Sequence, residues 1–168
     1  MIEAFTTNVL KIIPSSMRDT ALIRILGFTK IPLLWFISPV VTQMDNEKCI
    51  VKVPLKRKTK NHLGSMYFGV LAAGADCAGG LFAMKHILNS KQKVSLSFKE
   101  FNAKFLKRAE GDTYFTCTQG AEVEKFVQMV LSQDERAEMP IEIVATCPDK
   151  LGDEPVATFT LVLSLKKQ

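Results

Sequence analysis

The sequence predicts an α+β fold in which an antiparallel sheet of about six strands wraps around one long central helix. Segments that alternate apolar and polar residues recur between residues 49 and 165, mostly joined by short turns of the kind that connect antiparallel neighbours. Between the second and third expected strands, the first of which precedes residue 49, lies an apolar, proline-free stretch from Met66 to Met84 with no broad charged face. It carries Gly69, Gly74, Gly79 and Gly80. A glycine inside a helix costs about 1 kcal/mol relative to alanine, so such a series calls for curved strands approaching the helix closely.

A chain of 168 residues with 47% hydrophobic content suits one domain, read as a helical extension over residues 1–30 and a core over residues 33–168. A formal net charge of +5 is compatible with an anionic ligand or surface, and equally with solubility alone. Cys49, Cys77, Cys117 and Cys147 are scattered without a CxxC pair, and His62 and His86 are the only histidines, so buried, reduced thiols are expected rather than a metal site. The start MIEAFTTNVLKII lacks a basic region and a cleavage site, and the longest apolar run, Ile31 to Val41, contains two prolines and is too short to span a bilayer. A cytoplasmic protein without a transmembrane segment is expected, and nothing in the charge pattern points to nucleic acid.

Taken in order, Ile2, Phe5, Val9, Ile12 and Ile13 share a helical face that Pro14 closes. Met17, Ala21, Leu22, Ile25 and Leu26 form a second helical stripe, with Gly27 placed to end it. Packing on the domain or over a ligand channel is preferred for these two helices to anchoring at a membrane surface, because their polar faces are not strongly basic. Trp35, Phe36, Ile37, Val40 and Val41 then read as an extended run interrupted by Pro39, and Cys49 to Leu55 as the returning strand. Lys56, Arg57, Lys58 and Lys60 make a basic connection, either solvated or suited to the phosphates of a long anionic ligand. In the strand from Val94 to Arg108 the apolar parity switches: Val94, Leu96 and Phe98 share one face, yet Phe101, Ala103 and Phe105 fall on the parity of Ser95 and Ser97, which predicts a bulge near Glu100. Thr113–Thr118 is the next strand, Glu122–Gln133 an amphipathic helix inserted between strands, and two alternating strands from Ile141 and Ala157 complete the chain.

Asp76 is the chemical outlier, one acid inside an apolar helix. A buried, unpaired carboxylate costs several kcal/mol, so Asp76 must find a partner, reach water, or be kept for its chemistry. Around it, Asn61, Gly64, Gly69 and Asp76 fit the pattern N-x-x-G-x-x-H-G-G followed by an acid seven residues after the last glycine. On these residues the chain resembles the hotdog-fold acyl-CoA thioesterases of the phenylacetyl-CoA thioesterase type. The resemblance covers roughly Trp35 to Leu165, and the chain departs from it with Tyr67 in place of the histidine and Phe68 in place of the first glycine.

The resemblance implies hydrolysis of an acyl-CoA by a homodimer or dimer of dimers, with no cofactor beyond the CoA of the substrate. It implies that Asp76 activates the attacking water, that Asn61 helps hold the thioester or that water, and that the backbone N–H of Phe68 donates to the thioester carbonyl. Ser97 aligns with a serine the family supplies from the strand after the helix, with Ser95 as fallback. Tyr67, Phe68 and Gly69 fall in the substrate-binding segment, although Tyr67 and Phe68 also suit plain core filling. A backbone amide donates whatever its side chain, so the two departures leave the chemistry possible. They also motivate the alternative of a non-catalytic acyl-CoA or acyl-carrier binding protein. Geometry adds that a helix from Ser65 to Asp76 runs roughly 16 Å at 1.5 Å per residue, so Asn61 and Asp76 can meet one substrate only across a subunit interface. The extra N-terminal helices, with Met17, Ile25, Trp35, Phe36 and Phe68 as channel candidates, favour a medium- or long-chain fatty acyl group.

Overall fold

In the computed structural model, which describes residues 15–168, a long helix is laid into the concave face of one antiparallel sheet. Helix α1 (Ser15–Thr29) and the short helix α2 (Pro32–Ile37) precede strands β1 (Val40–Met44) and β2 (Cys49–Val53). The central helix α3 (Phe68–Ser90) follows, then β3 (Val94–Phe105), β4 (Thr113–Cys117), α4 (Gly120–Leu131), β5 (Ala137–Thr146), the single turn α5 (Pro148–Leu151) and β6 (Pro155–Lys167). The six strands run in the order β1-β2-β4-β5-β6-β3, every neighbouring pair antiparallel, as expected from the alternating pattern. The expected helix over residues 2–13 lies outside the described residues.

The glycines of α3 are sockets for strand side chains. A Cβ on Gly74 would collide with the ring of Phe115 on β4, and one on Gly79 with Ile141 on β5. Phe98 of β3 lies over Gly80. Three strands are thus drawn onto the helix, whose buried stretch runs from Val70 through Ala83 with only Ala72 and Asp76 less than fully covered. By length and apolarity α3 is the one described helix able to cross a bilayer, but 67% of that window is buried inside the protein, which marks it as the core helix.

The parity switch in β3 is realised as a register shift between Phe98 and Glu100 opposite β6. Its consequence is local: Phe98 and Phe101, three apart, both turn toward the helix side. The insertion α4 is amphipathic as its pattern requires, burying Val123, Phe126, Val127 and Val130 beside α3.

Two readings of the N-terminal third are corrected. Gly27 does not end α1, which continues to Thr29; instead a Cβ there would stand 2.5 Å from the backbone nitrogen of Trp35, so the glycine lets α2 cross α1 backbone to backbone. The segment with Trp35, Phe36 and Ile37 is helical, not extended. Pro32 occupies the first turn, where its missing N–H has no cost, and Ser38 closes α2 in the left-handed region at φ 59°. Arg24 of α1 holds this end, donating from Nε to Pro39 O at 2.9 Å and from Nη2 to Ser38 O at 3.1 Å.

Candidate active site

Gly69, Ala72, Ala73 and Asp76 recur at the spacing of one helical face, and together they form the floor of a cleft of about 350 Å³. Phe98, Phe101 and Leu161 form one wall, and Ile31, Leu33 and Leu34 of the α1–α2 corner form the cover. Small residues on the floor leave the room; Asp76 is the only ionisable group in the lining. It has no hydrogen-bond or ion-pair partner among the described residues, and burial pushes its carboxyl up to about 6. Such a carboxylate is ionised at neutral pH yet basic enough to take a proton from water.

The helix start differs from expectation in a way that matters for Asn61. Its carboxamide oxygen accepts from the backbone N–H of Leu63 at 2.9 Å and of Ser65 at 3.2 Å, while Nδ2 donates to Ser65 Oγ at 3.1 Å. Asn61 therefore organises the turn ahead of the helix, in which Gly64 takes the left-handed φ of 80°. Met66 and Tyr67 are tied to Ala109 O and Thr59 O, and α3 begins only at Phe68. No side chain caps it, and the N–H groups of Phe68 and Gly69 have no partner among the described residues. Two free amides at a helix N-terminus suit a developing oxyanion. From Phe68 to Asp76 is eight residues, roughly 12 Å of helix, so these amides and this carboxylate of one chain do not reach one reacting group.

Tyr67 and Phe68 are 47% and 60% exposed, with ring centroids 4.7 Å apart, which removes core filling as their explanation. Tyr67 leans against Gly69, where a Cβ would stand 2.8 Å from its Cε1. Ser97 lies next to Phe98 in β3 and so faces the opposite side of the sheet; its hydroxyl donates to Ser164 O at 3.4 Å, and Ser164 Oγ accepts from Arg136 at 3.0 Å. The chain does not bring Ser97, or Ser95 on the same face, to Asp76. Of the channel candidates, Met17, Trp35, Phe36 and Phe68 are exposed and none, Ile25 included, lines the cleft. The cover residues Ile31, Leu33 and Leu34 escaped sequence reasoning because α2 read as a strand. Phe98 and Phe101 were within reach, since the parity switch already put them on one face.

Among the described residues no three His, Cys, Asp or Glu side chains gather as a metal site. All four cysteines are buried and unpaired by disulfides, and burial raises each thiol.

This architecture, six antiparallel strands wrapped around a long helix, defines the hotdog class, and solved structures share it over nearly the whole chain. A Pseudomonas aeruginosa protein of unknown function, described as a "Probable Thioesterase", is 24% identical with a TM-score of 0.70, the match covering 89% of this chain and 96% of that one. A protein of unknown function from Chlorobaculum tepidum is 16% identical with a TM-score of 0.75, covering 92% and 100%. A thioesterase from Haemophilus influenzae is 13% identical with a TM-score of 0.63, covering 87% and 88%. No curated protein matches the chain. Within the class, the chain belongs to the family described as a domain of unknown function, DUF4442, whose profile matches residues 20–163.

Proposed function

We propose that this protein is a cytoplasmic acyl-CoA thioesterase that releases CoA and a medium- or long-chain fatty acid, acting as a homodimer or dimer of dimers without a cofactor. The observation that carries the reading is Asp76, a carboxylate without a partner among the described residues, held near pKa 6 on the floor of an otherwise apolar cleft. Asp76 takes a proton from a water molecule as that water attacks the thioester carbonyl. The carbonyl oxygen is stabilised by the free amide of Phe68, supplied by the second subunit because the intrachain separation is too great. Asn61 keeps the turn that presents this amide, and Tyr67, Phe68 and Gly69 shape the entrance. The thiolate of CoA leaves and is protonated by solvent or by the acid form of Asp76.

Dimerisation is supported by β3, an edge strand of 12 residues with no partner on its outer side among the described residues, near which Phe101, Phe105 and Leu106 are exposed. The chain-length preference is supported by the cover over the cleft, since each buried CH₂ contributes about 0.8 kcal/mol and an apolar roof rewards a chain of many methylenes.

The test is free-thiol release from a panel of acyl-CoAs. Asp76→Asn is expected to lower kcat by 10²-fold or more with dimer and fold unchanged; retained turnover overturns the reading. A second reading, non-catalytic binding of acyl-CoA, is favoured specifically by Tyr67 and Phe68 standing where the resembling family has His-Gly. It predicts saturable binding with no thiol release from any member of the panel.

A further inference from the structure

The outer face of α2 is unusually apolar for a surface helix. Leu34 and Ile37 point inward, leaving Leu33, Trp35 and Phe36 about half exposed, at 52%, 50% and 50%. Phe28, at the end of α1 and 71% exposed, stacks edge-on against Trp35 at 5.4 Å and extends the patch. Cations rim it. Lys58 Nζ sits 5.1 Å from the centroid of the Phe36 ring and donates to Ser38 Oγ at 2.8 Å. The turn that carries Lys56, Arg57, Lys58 and Lys60 is fixed from beneath by buried Thr59, whose hydroxyl donates to Pro54 O and accepts from Lys56 N, both at 2.8 Å. No acid occurs between Asp19 and Asp45, or between Glu47 and Asp76, the two segments that build the patch and its rim.

We propose that this corner, Phe28, Leu33, Trp35 and Phe36 with the basic turn at residues 56–60, docks on an anionic lipid bilayer. Aromatic and aliphatic side chains at headgroup depth, flanked by lysines, are the chemistry of an interfacial helix. Charge decides between occupants. A second copy seated here across a twofold axis would face its own cationic rim with another, whereas an anionic lipid surface complements it. The patch also adjoins the cleft, because Leu33 belongs to both, so docking would set the roof of the cleft against the source of apolar ligands. The docking inference itself does not depend on hydrolysis.

Trp35 is the only tryptophan, so its fluorescence reports directly on the patch. The full chain is titrated with vesicles of phosphatidylcholine alone and with 30 mol% phosphatidylglycerol, a composition on the order of that giving physiological surface potentials. The expected result is a blue shift and quenching by brominated acyl chains with the anionic vesicles, weakened by salt. Lys58→Ala should weaken partitioning about fivefold, and Phe28→Ser should remove most of the shift while circular dichroism stays unchanged. No shift with anionic vesicles overturns the proposal. So does emission that is already blue in free protein and turns red on dilution or on removal of residues 1–14, which assigns the patch to a second copy or to that segment.

Discussion

Thr20 on α1 grips the edge strand at Val41 in both directions: its hydroxyl donates to the Val41 carbonyl at 3.2 Å and accepts from the Val41 N–H at 3.0 Å. The outward polar groups of Val41 are thereby satisfied by a side chain, and the helix covers this part of an edge that would otherwise be open. Thr20→Val is expected to destabilise the fold by about 1–3 kcal/mol, because a part-buried N–H and C=O lose their partner. A lower urea midpoint with an unchanged m-value, restored by Thr20→Ser, is the signature to look for.

Burial of Asp76 costs stability at neutral pH. Its folded pKa of about 6 exceeds the unfolded value near 3.9, so the folded state binds more protons between the two, and stability falls as pH rises through that window. Asp76→Asn lacks this loss. Above pH 6 the variant should be more stable than the parent by on the order of 3 kcal/mol, and the two should converge below pH 4. Thermal melts at pH 4 and 7.5 measure the difference, and equal shifts at both pH values would contradict it.

On the proposed reading the same carboxyl sets the acid limb of the rate. kcat/KM is expected to climb about tenfold per unit as pH rises toward 6 and to level off above, since only the ionised form accepts the proton from water. A limb centred near 4 would show that Asp76 is not the titrating base.

Gly74→Ala drives a methyl group into the ring of Phe115, which is fully buried and lies tilted against Phe159 with ring centroids 6.3 Å apart. Overpacking of this kind costs about 1–3 kcal/mol. Adding Phe115→Leu should recover part of it, giving a coupling that a double-mutant cycle resolves.

Ala72→Leu extends a side chain from the floor of the cleft toward α2. If an acyl chain occupies that space, preference should shift to shorter acyl-CoAs, with about a fourfold penalty in kcat/KM for each methylene displaced. Equal loss on all chain lengths would mean the chain runs elsewhere.

Much of this was legible because its signals were local. The bulge in β3 followed from Phe98 and Phe101 changing parity, the core helix from a proline-free run with spaced glycines, and the candidate site from one acid in that run. The helix α2 was hidden because Trp35, Phe36, Ile37 and Val40 have strand propensity, and tertiary burial of Leu34 and Ile37 overrides it. Pro32 at the head of the segment was the overlooked sign. Asn61, matched to the family pattern by its spacing, spends its carboxamide bonds on the turn to Ser65. That Ser97 faces away was within reach too, because the parity in β3 already set Ser95 and Ser97 opposite Phe98, and alignment by spacing ignored which face the pleat presents.

The sockets at Gly74 and Gly79 have a bearing on how the molecule can change over evolutionary time. Ring and branched side chains seated against a bare backbone forbid both sliding and rotation of α3, so the floor of the cleft is frozen with the core. The roof is different: α2 is a single short segment held by Arg24, by the crossing at Gly27 and by the buried Leu34 and Ile37, and its outer residues are free of the sheet's register. Variation in ligand size can therefore accumulate at the half-exposed Ile31 and Leu33, while Leu34 stays with the core. Divergent members of such a lineage should keep the floor and differ in the roof.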